Sequence, residues 1–176
     1  FGGQFGASVA TVEDLTGDGV PDVVVGAPRE SQSGDDNAGA AYIYNGDTGA
    51  FIRSLQTGIS NIAPGRRLGT GIAGVGDVNG DGTADVLIGA PYQTAGGASG
   101  AGKAYLFSGA DGSVLNSYTG GEEDTGRFGT AVAGVGDLLG DSTPDFAVGA
   151  PREDVMVSGS FVGEAGKVYV INGNTG

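Results

Sequence analysis

Three segments of the chain restate one another: DLTGDGVPDVVVGAP at 14–28, DVNGDGTADVLIGAP at 77–91 and DLLGDSTPDFAVGAP at 137–151. The correspondence continues in both directions. Phe5-Gly6, Leu68-Gly69 and Phe128-Gly129 precede the three segments at the same offset, and AYIYNGDTG, AYLFSGADG and VYVINGNTG follow them from Ala41, Ala104 and Val168. Asp14 to Asp77 is 63 residues and Asp77 to Asp137 is 60. A repeat of this length constrains the fold more than any local propensity, because each unit must present the same surfaces to its neighbours.

Each unit carries four strand signals and no sustained helical period. In the second unit the first strand passes through Ile72 and Val75 among small residues. The second is the apolar run Asp85 to Gly89, the third is Lys103 to Ser108, and the fourth is Ser113 to Tyr118. Asn45-Gly46-Asp47-Thr48-Gly49 and Ser108-Gly109-Ala110-Asp111-Gly112 have the chemistry of hairpin turns between third and fourth strands. Valine and isoleucine outnumber leucine 25 to 8, which favours strands. Glycine takes 38 of 176 positions without an every-third-residue period, which excludes a collagen helix.

A four-stranded antiparallel meander of about 60 residues is a propeller blade. The expected fold is all-β, with blade 1 over about 1–57, blade 2 over about 64–119 and blade 3 over about 124–176. Blade 3 is expected to lack its outer strand, since no counterpart of Phe51–Gln56 or Ser113–Tyr118 follows NGNTG at 172–176. Small residues of the first strands are expected at the crowded axis, and Phe5 and Phe128 between neighbouring sheets. Gly26-Ala27-Pro28 and its copies end the second strands, because proline cannot donate to the ladder.

With 8 basic and 21 acidic side chains the chain carries a net charge of −13, the opposite of a nucleic-acid or anionic-membrane footprint. No apolar run approaches the roughly 18 residues of a membrane span, so no membrane insertion is expected. Cysteine and histidine are absent, which removes disulfides, thiolate chemistry, histidine-ligated zinc and Ser-His-Asp triads.

The loop between the first and second strands concentrates oxygen donors. In the second unit Asp77, Asn79, Asp81 and Asp85 fall at positions 1, 3, 5 and 9, with the Thr83 carbonyl at position 7 and Gly82 at the bend. The first unit offers Asp14, Thr16, Asp18, the Val20 carbonyl and Asp22, with Gly19 at the bend. Calcium suits such a set, being a hard ion that takes six to eight oxygens in flexible geometry. The loop is not an EF-hand, because strands flank it and position 12 is Val25 or Ile88 rather than glutamate.

The third unit keeps Asp137, Asp141, Asp145 and the Thr143 carbonyl, but has Leu139 at position 3 and Ser142 at the bend. Two Ca²⁺ sites are therefore expected, the third loop binding more weakly or staying empty. Acidic turns that cap their own backbone are the competing reading of all three loops. The loops hold nine of the 21 carboxylates, and three divalent ions would bring −13 to −7, or two to −9. The metal is thus expected to be part of the fold.

The unit of Phe-Gly, acidic loop and Gly-Ala-Pro resembles the FG-GAP repeat of integrin α-subunit β-propellers and their bacterial relatives, over essentially the whole chain. The resemblance implies a propeller, usually seven-bladed, with calcium in some of these loops and a role in adhesion or ligand binding outside the cell. The departures are Leu68 in place of phenylalanine, the altered third loop and the number of repeats.

Closed propellers have roughly four to eight blades, so open end faces are expected to be covered by further blades of a longer chain or by a second copy of this chain. Meander geometry places the acidic loops at one end and the variable connections 29–40, 57–67, 92–102, 119–127 and 152–166 at the other. A protein or glycan ligand is expected there. Arg29, Arg66, Arg67, Arg127 and Arg152 fall at that end with Tyr92 and Phe161. Two readings stand: the arginines engage an acidic ligand, or they neutralise Glu30, Asp35, Asp36, Glu122, Glu123, Asp124 and Glu153.

The expected function is a calcium-stabilised binding or adhesion module at an extracellular or cell-surface location, without catalysis. The alternatives are a carbohydrate-binding lectin, an accessory domain of a secreted polysaccharide-active enzyme, and an enzyme using a unique carboxylate pair such as Glu153 and Glu164. Against the last stands the equivalence of the repeated acids, since an active site is normally unique.

Overall fold

The computed structural model describes residues 2–32, 34–58, 65–121 and 125–176. The junctions expected between blades fall largely outside these, as do Glu122, Glu123, Asp124 and the Phe161 side chain. Strands β1 (Ser8–Val12), β2 (Asp22–Ala27), β3 (Ala40–Tyr44) and β4 (Phe51–Leu55) form one antiparallel sheet in sequential order. A second sheet of the same order contains β5 (Ile72–Gly76), β6 (Asp85–Ala90), β7 (Lys103–Phe107) and β8 (Val114–Tyr118). The third contains β9 (Ala131–Gly136), β10 (Asp145–Ala150) and β13 (Lys167–Ile171), without a fourth strand. The meander units are therefore blades, and the described residues contain no helix.

One element has no counterpart in the sequence reading. Inside the connection from β10 to β13, β11 (Val155–Val157) and β12 (Ser160–Val162) form a separate two-stranded hairpin. The turn Ser158-Gly159 joins two short apolar runs, but neither recurs in the other units, so the repeat could not reveal it.

The first strands β1, β5 and β9 lie against one another at the inner edge. Small residues there are a steric requirement: a Cβ on Gly74 would stand 2.9 Å from the Thr11 carbonyl oxygen, and one on Gly134 would stand 2.6 Å from that of Gly74. Alternation along the strands supplies two apolar faces per blade. In blade 2, Ile88, Tyr105 and Phe107 pack with Val24, Ala41 and Ile43 of blade 1. On the opposite face, Leu87, Ala104 and Leu106 pack with Phe128, Phe146 and Val148 of blade 3. Backbone bonds reinforce the stack, as the Leu68 amide donates to the Ala38 carbonyl at 3.0 Å and the Phe128 amide to that of Ala101 at 2.8 Å.

The expectation that Phe5 and Phe128 both lie between sheets holds for only one of them. Phe128 is 1% exposed, whereas Phe5 is 58% exposed. Phe5 rests on the rings of Tyr42 and Tyr44, with centroids at 5.8 and 6.0 Å. The reason is positional: among the described residues no sheet covers that side of blade 1.

Candidate metal loops and the opposite rim

Each acidic loop winds round the carboxylate of its first aspartate. Asp14 accepts bonds from the backbone amides of Thr16, Gly17, Asp18 and Gly19, the last at 2.6 Å. Asp77 accepts from Gly80, Asp81 and Gly82, and Asp137 from Gly140, Asp141 and Ser142. The bend residues Gly19 and Gly82 have φ of 86° and 87°. Ser142 holds the same bend at 71°, a region disfavoured for a residue with a Cβ.

The position 9 aspartates Asp22, Asp85 and Asp145 are fully buried and latch two turns together. Asp85 accepts from the Val78 amide at 3.0 Å and from the Gly109 amide of the third-to-fourth-strand turn at 3.2 Å. Asp22 joins Leu15 to Gly46, and Asp145 joins Leu138 to Gly173, in the same way. Position 5 is braced across the same gap in two blades. The Asn45 side chain donates to Asp18 at 2.5 Å and to Thr16 at 3.0 Å, and that of Asn172 donates to Asp141 at 2.7 Å. In the sequence Asn45 is legible only as a turn former, and Asn172 only as its counterpart in the third repeat. In blade 2 Ser108 occupies that place, and Asp81 accepts instead from the Asn79 side chain at 2.8 Å.

The Gly19 amide leads in holding Asp14 below the usual carboxylate range, and the Asn45 and Asn172 side chains do the same for Asp18 and Asp141. Burial instead pushes Asp85 up. The donor set is all oxygen, as calcium requires, and carboxylate lone pairs remain beyond those used by the amides. The carboxylates are nevertheless not drawn together: among the described residues no group of three or more acids is arranged to hold a metal ion. Backbone amides satisfy them, and the Val20, Thr83 and Thr143 amides cap Asp18, Asp81 and Asp141 in the same way.

At the other end of the blades the arginines divide into two groups. Arg66 is buried and pairs with Asp35 at 2.5 Å, as neutralisation predicts. Glu30 and Glu153 are engaged elsewhere, accepting from the Tyr42 and Tyr169 hydroxyls, and Lys167 pairs with Glu153 at 2.7 Å. The same contact recurs in blade 2 as Tyr105 to Gln93 at 3.0 Å. The third-strand tyrosine thus bonds the residue two places after each Gly-Ala-Pro, a pairing visible in the repeat but not read from it. Glu153 is buried in this network while Glu164 is exposed, so they do not form a free catalytic pair. Arg67 and Arg127 stack on Tyr92, with guanidinium carbons 3.9 and 3.7 Å from the ring centroid.

Sequentially ordered antiparallel blades, an acidic loop at one end of each and a glycine-mediated inner edge together define a β-propeller segment. The chain belongs to the FG-GAP repeat family, which matches it at residues 5–44, 69–107 and 128–171. It is similar to integrin alpha-6 of Gallus gallus, with 36% identity over 158 residues covering 88% of this chain and 14% of that protein. It is also similar to integrin alpha-PS3 of Drosophila melanogaster, with 31% identity over 165 residues covering 89% and 14%. The chain thus spans about 14% of the length of these relatives. A solved rhamnogalacturonan lyase of Bacillus licheniformis overlaps 93% of this chain and 34% of its own, at 19% identity and a TM-score of 0.48, too loose a likeness to bear on function. No helix among the described residues is long and apolar enough to cross a membrane.

Proposed function

We propose that the chain is a calcium-stabilised FG-GAP module for binding or adhesion, working at an extracellular or cell-surface location and without catalysis of its own. Supporting this are the family match, the relatedness to integrin α chains and the recurrence of one oxygen-rich ring at the same end of every blade. That last observation carries the calcium reading. Asp14, Thr16, Asp18, the Val20 carbonyl and Asp22 form one ligand set, and Asp77, Asn79, Asp81, the Thr83 carbonyl and Asp85 a second. Asp137, Asp141, the Thr143 carbonyl and Asp145 form a weaker third, lacking a donor at Leu139 and strained at Ser142. When bound, the ion would supply positive charge that offsets the carboxylates, and the loop oxygens would coordinate it. In the first two loops the carboxylates of positions 1 and 5 would turn from capping amides toward it; Asp18 and Asp81 are exposed and Asp14 and Asp77 half-buried.

The blade units, about 1–57, 64–119 and 124–176, continue into further blades of a longer chain or of a second copy. Their apolar end faces are the surface such blades would cover. A ligand engages the end opposite the loops.

Thermal melting in calcium and in chelator tests the metal. Calcium is expected to raise the melting temperature, and Asp81→Ala to remove roughly 5–10 °C of it, the stabilisation of an ion near a hundredfold its dissociation constant. Asp141→Ala is expected to remove much less. Identical melting with and without calcium would overturn the reading, and equal small effects of both variants would overturn the ranking of loops.

A further inference from the structure

We propose that the rim opposite the acidic loops holds a site for the carboxylate side chains of an acidic peptide segment, formed by Arg67, Arg127 and Tyr92 with Arg152 at its edge. The inference rests on the reading of the module as a ligand-binding propeller and specifies the chemistry of its ligand.

The repeat itself builds the site. Gln4, Arg67 and Arg127 stand immediately before the Phe-Gly or Leu-Gly pair, and Arg29, Tyr92 and Arg152 immediately after the Gly-Ala-Pro proline. The first set shares a left-handed backbone, with φ of 57°, 58° and 62°. Each arginine is then fixed at both sides of its peptide. The Arg67 amide donates to the Asn37 carbonyl of the preceding blade at 3.1 Å, and the Arg127 amide to that of Gly100 at 3.2 Å. Their carbonyls accept from the Thr70 and Thr130 hydroxyls, both at 2.7 Å. The backbone from which each side chain leaves is therefore held by an inter-blade bond and a threonine hydroxyl.

Tyr92 converts two flexible cations into a fixed pair. Two guanidiniums stacked within 4 Å of one ring centre cannot share a face, so Arg67 and Arg127 occupy opposite faces of Tyr92. Stacking uses the face of a guanidinium and leaves its in-plane N–H edge free to meet a carboxylate with two parallel bonds. Among the described residues no carboxylate pairs with Arg67, Arg127 or Arg152; the pairs formed at this end use Arg66 and Lys167. The three arginines and Tyr92 border a hollow of about 370 Å³ that Gln4 and Thr70 also line.

The chemistry favours an acidic peptide over a sugar. A glycan stacks on an open aromatic face, and both faces of Tyr92 are taken. The hollow gathers three of the eight basic side chains on a chain of net charge −13, so an anionic segment meets its countercharge at this rim rather than at the acidic loop end.

The test is binding of a fluorophore-labelled, terminally blocked oligoglutamate peptide to the 176-residue chain in calcium, with oligolysine and a heparin-derived oligosaccharide as comparators. Saturable oligoglutamate binding is expected, weakened about tenfold or more by Arg67→Gln and by Arg127→Gln. Arg67→Lys, which keeps the charge but loses the fork, should restore only part of it. Arg53→Gln removes the same charge on β4 and is expected to change binding less than about twofold. Absence of peptide binding, tighter binding of the oligosaccharide, or equal weakening by Arg53→Gln overturns the proposal. Melting curves on the same samples separate this from the calcium reading. A chain indifferent to calcium that binds through Arg67 and Arg127 removes only the metal, and a calcium-stabilised chain that ignores oligoglutamate removes only this site.

Discussion

Gly89 shows how one missing side chain joins two blades. A Cβ there would overlap the Gly129 carbonyl oxygen and stand 3.1 Å from the Gly129 Cα, both backbone atoms of blade 3. Gly26 meets the Gly69 carbonyl of blade 2 in the same way, and Gly69 itself sits at φ 91°. Gly149 occupies the identical place in the third repeat, yet a Cβ there would find Ala131 Cβ at 3.6 Å, an ordinary contact. Gly89→Ala should therefore cost about 1–3 kcal/mol or more by forcing the sheets apart. Gly149→Ala in the same chain should be neutral or gain up to about 0.5 kcal/mol from strand entropy. Urea unfolding of the two variants measures the difference. Equal losses would mean that the glycine serves its own strand and not the neighbouring blade.

At the scale of the element, each blade is tied from its third strand back to the segment after the second by a tyrosine. Burial, reinforced by the acid that accepts the hydroxyl bond, pushes Tyr42 on β3 well above the ordinary phenol range and raises Tyr169 on β13. Burial alone raises Tyr105 on β7 and Tyr118 on β8. A raised folded-state pKa means that the fold prefers the neutral phenol. The associated stability is intact below the unfolded-state value of about 10 and is lost as pH climbs through the folded-state values. Alkaline titration followed by tyrosinate absorbance should show part of the signal delayed until unfolding, which then releases it together. A single transition near the free-phenol value with the fold intact would contradict this.

For the whole molecule, the decisive feature is the pair of uncovered end faces. Val168 on β13 is 74% exposed, whereas Ala104, its equivalent in blade 2, is fully buried beneath blade 3. Phe5, Val9 and Phe51 form the corresponding open face of blade 1. Surfaces of this kind associate in water. Light scattering on the 176-residue chain in calcium should give a mass above 17.1 kDa, falling toward that value on Val168→Asp with Val170→Asp. A folded chain of 17.1 kDa at all concentrations would show that these faces need no cover.

Repetition made the architecture readable before any coordinates. Three copies of one pattern, with period-2 apolar runs and turn chemistry in each, admit only equivalent sheets, and the strands fall where those runs lie. The acidic loops were equally plain as clusters of oxygen donors, because ligand spacing is a local property of the chain. Three things were not local. Whether a given phenylalanine is buried depends on the presence of a neighbouring sheet, so Phe5 and Phe128 read alike and differ in exposure. The hairpin of β11 and β12 lies in a segment without a repeat partner. The arginines could not be sorted by sequence, since Arg66 and Arg67 are adjacent yet one is buried against Asp35 and the other stacks on Tyr92. Sequence determined the unit and its spacing, which follow from residue order within a blade. Tertiary structure decided which glycines are pressed, which faces are open and which charges are paired, because those depend on atoms brought together from different blades.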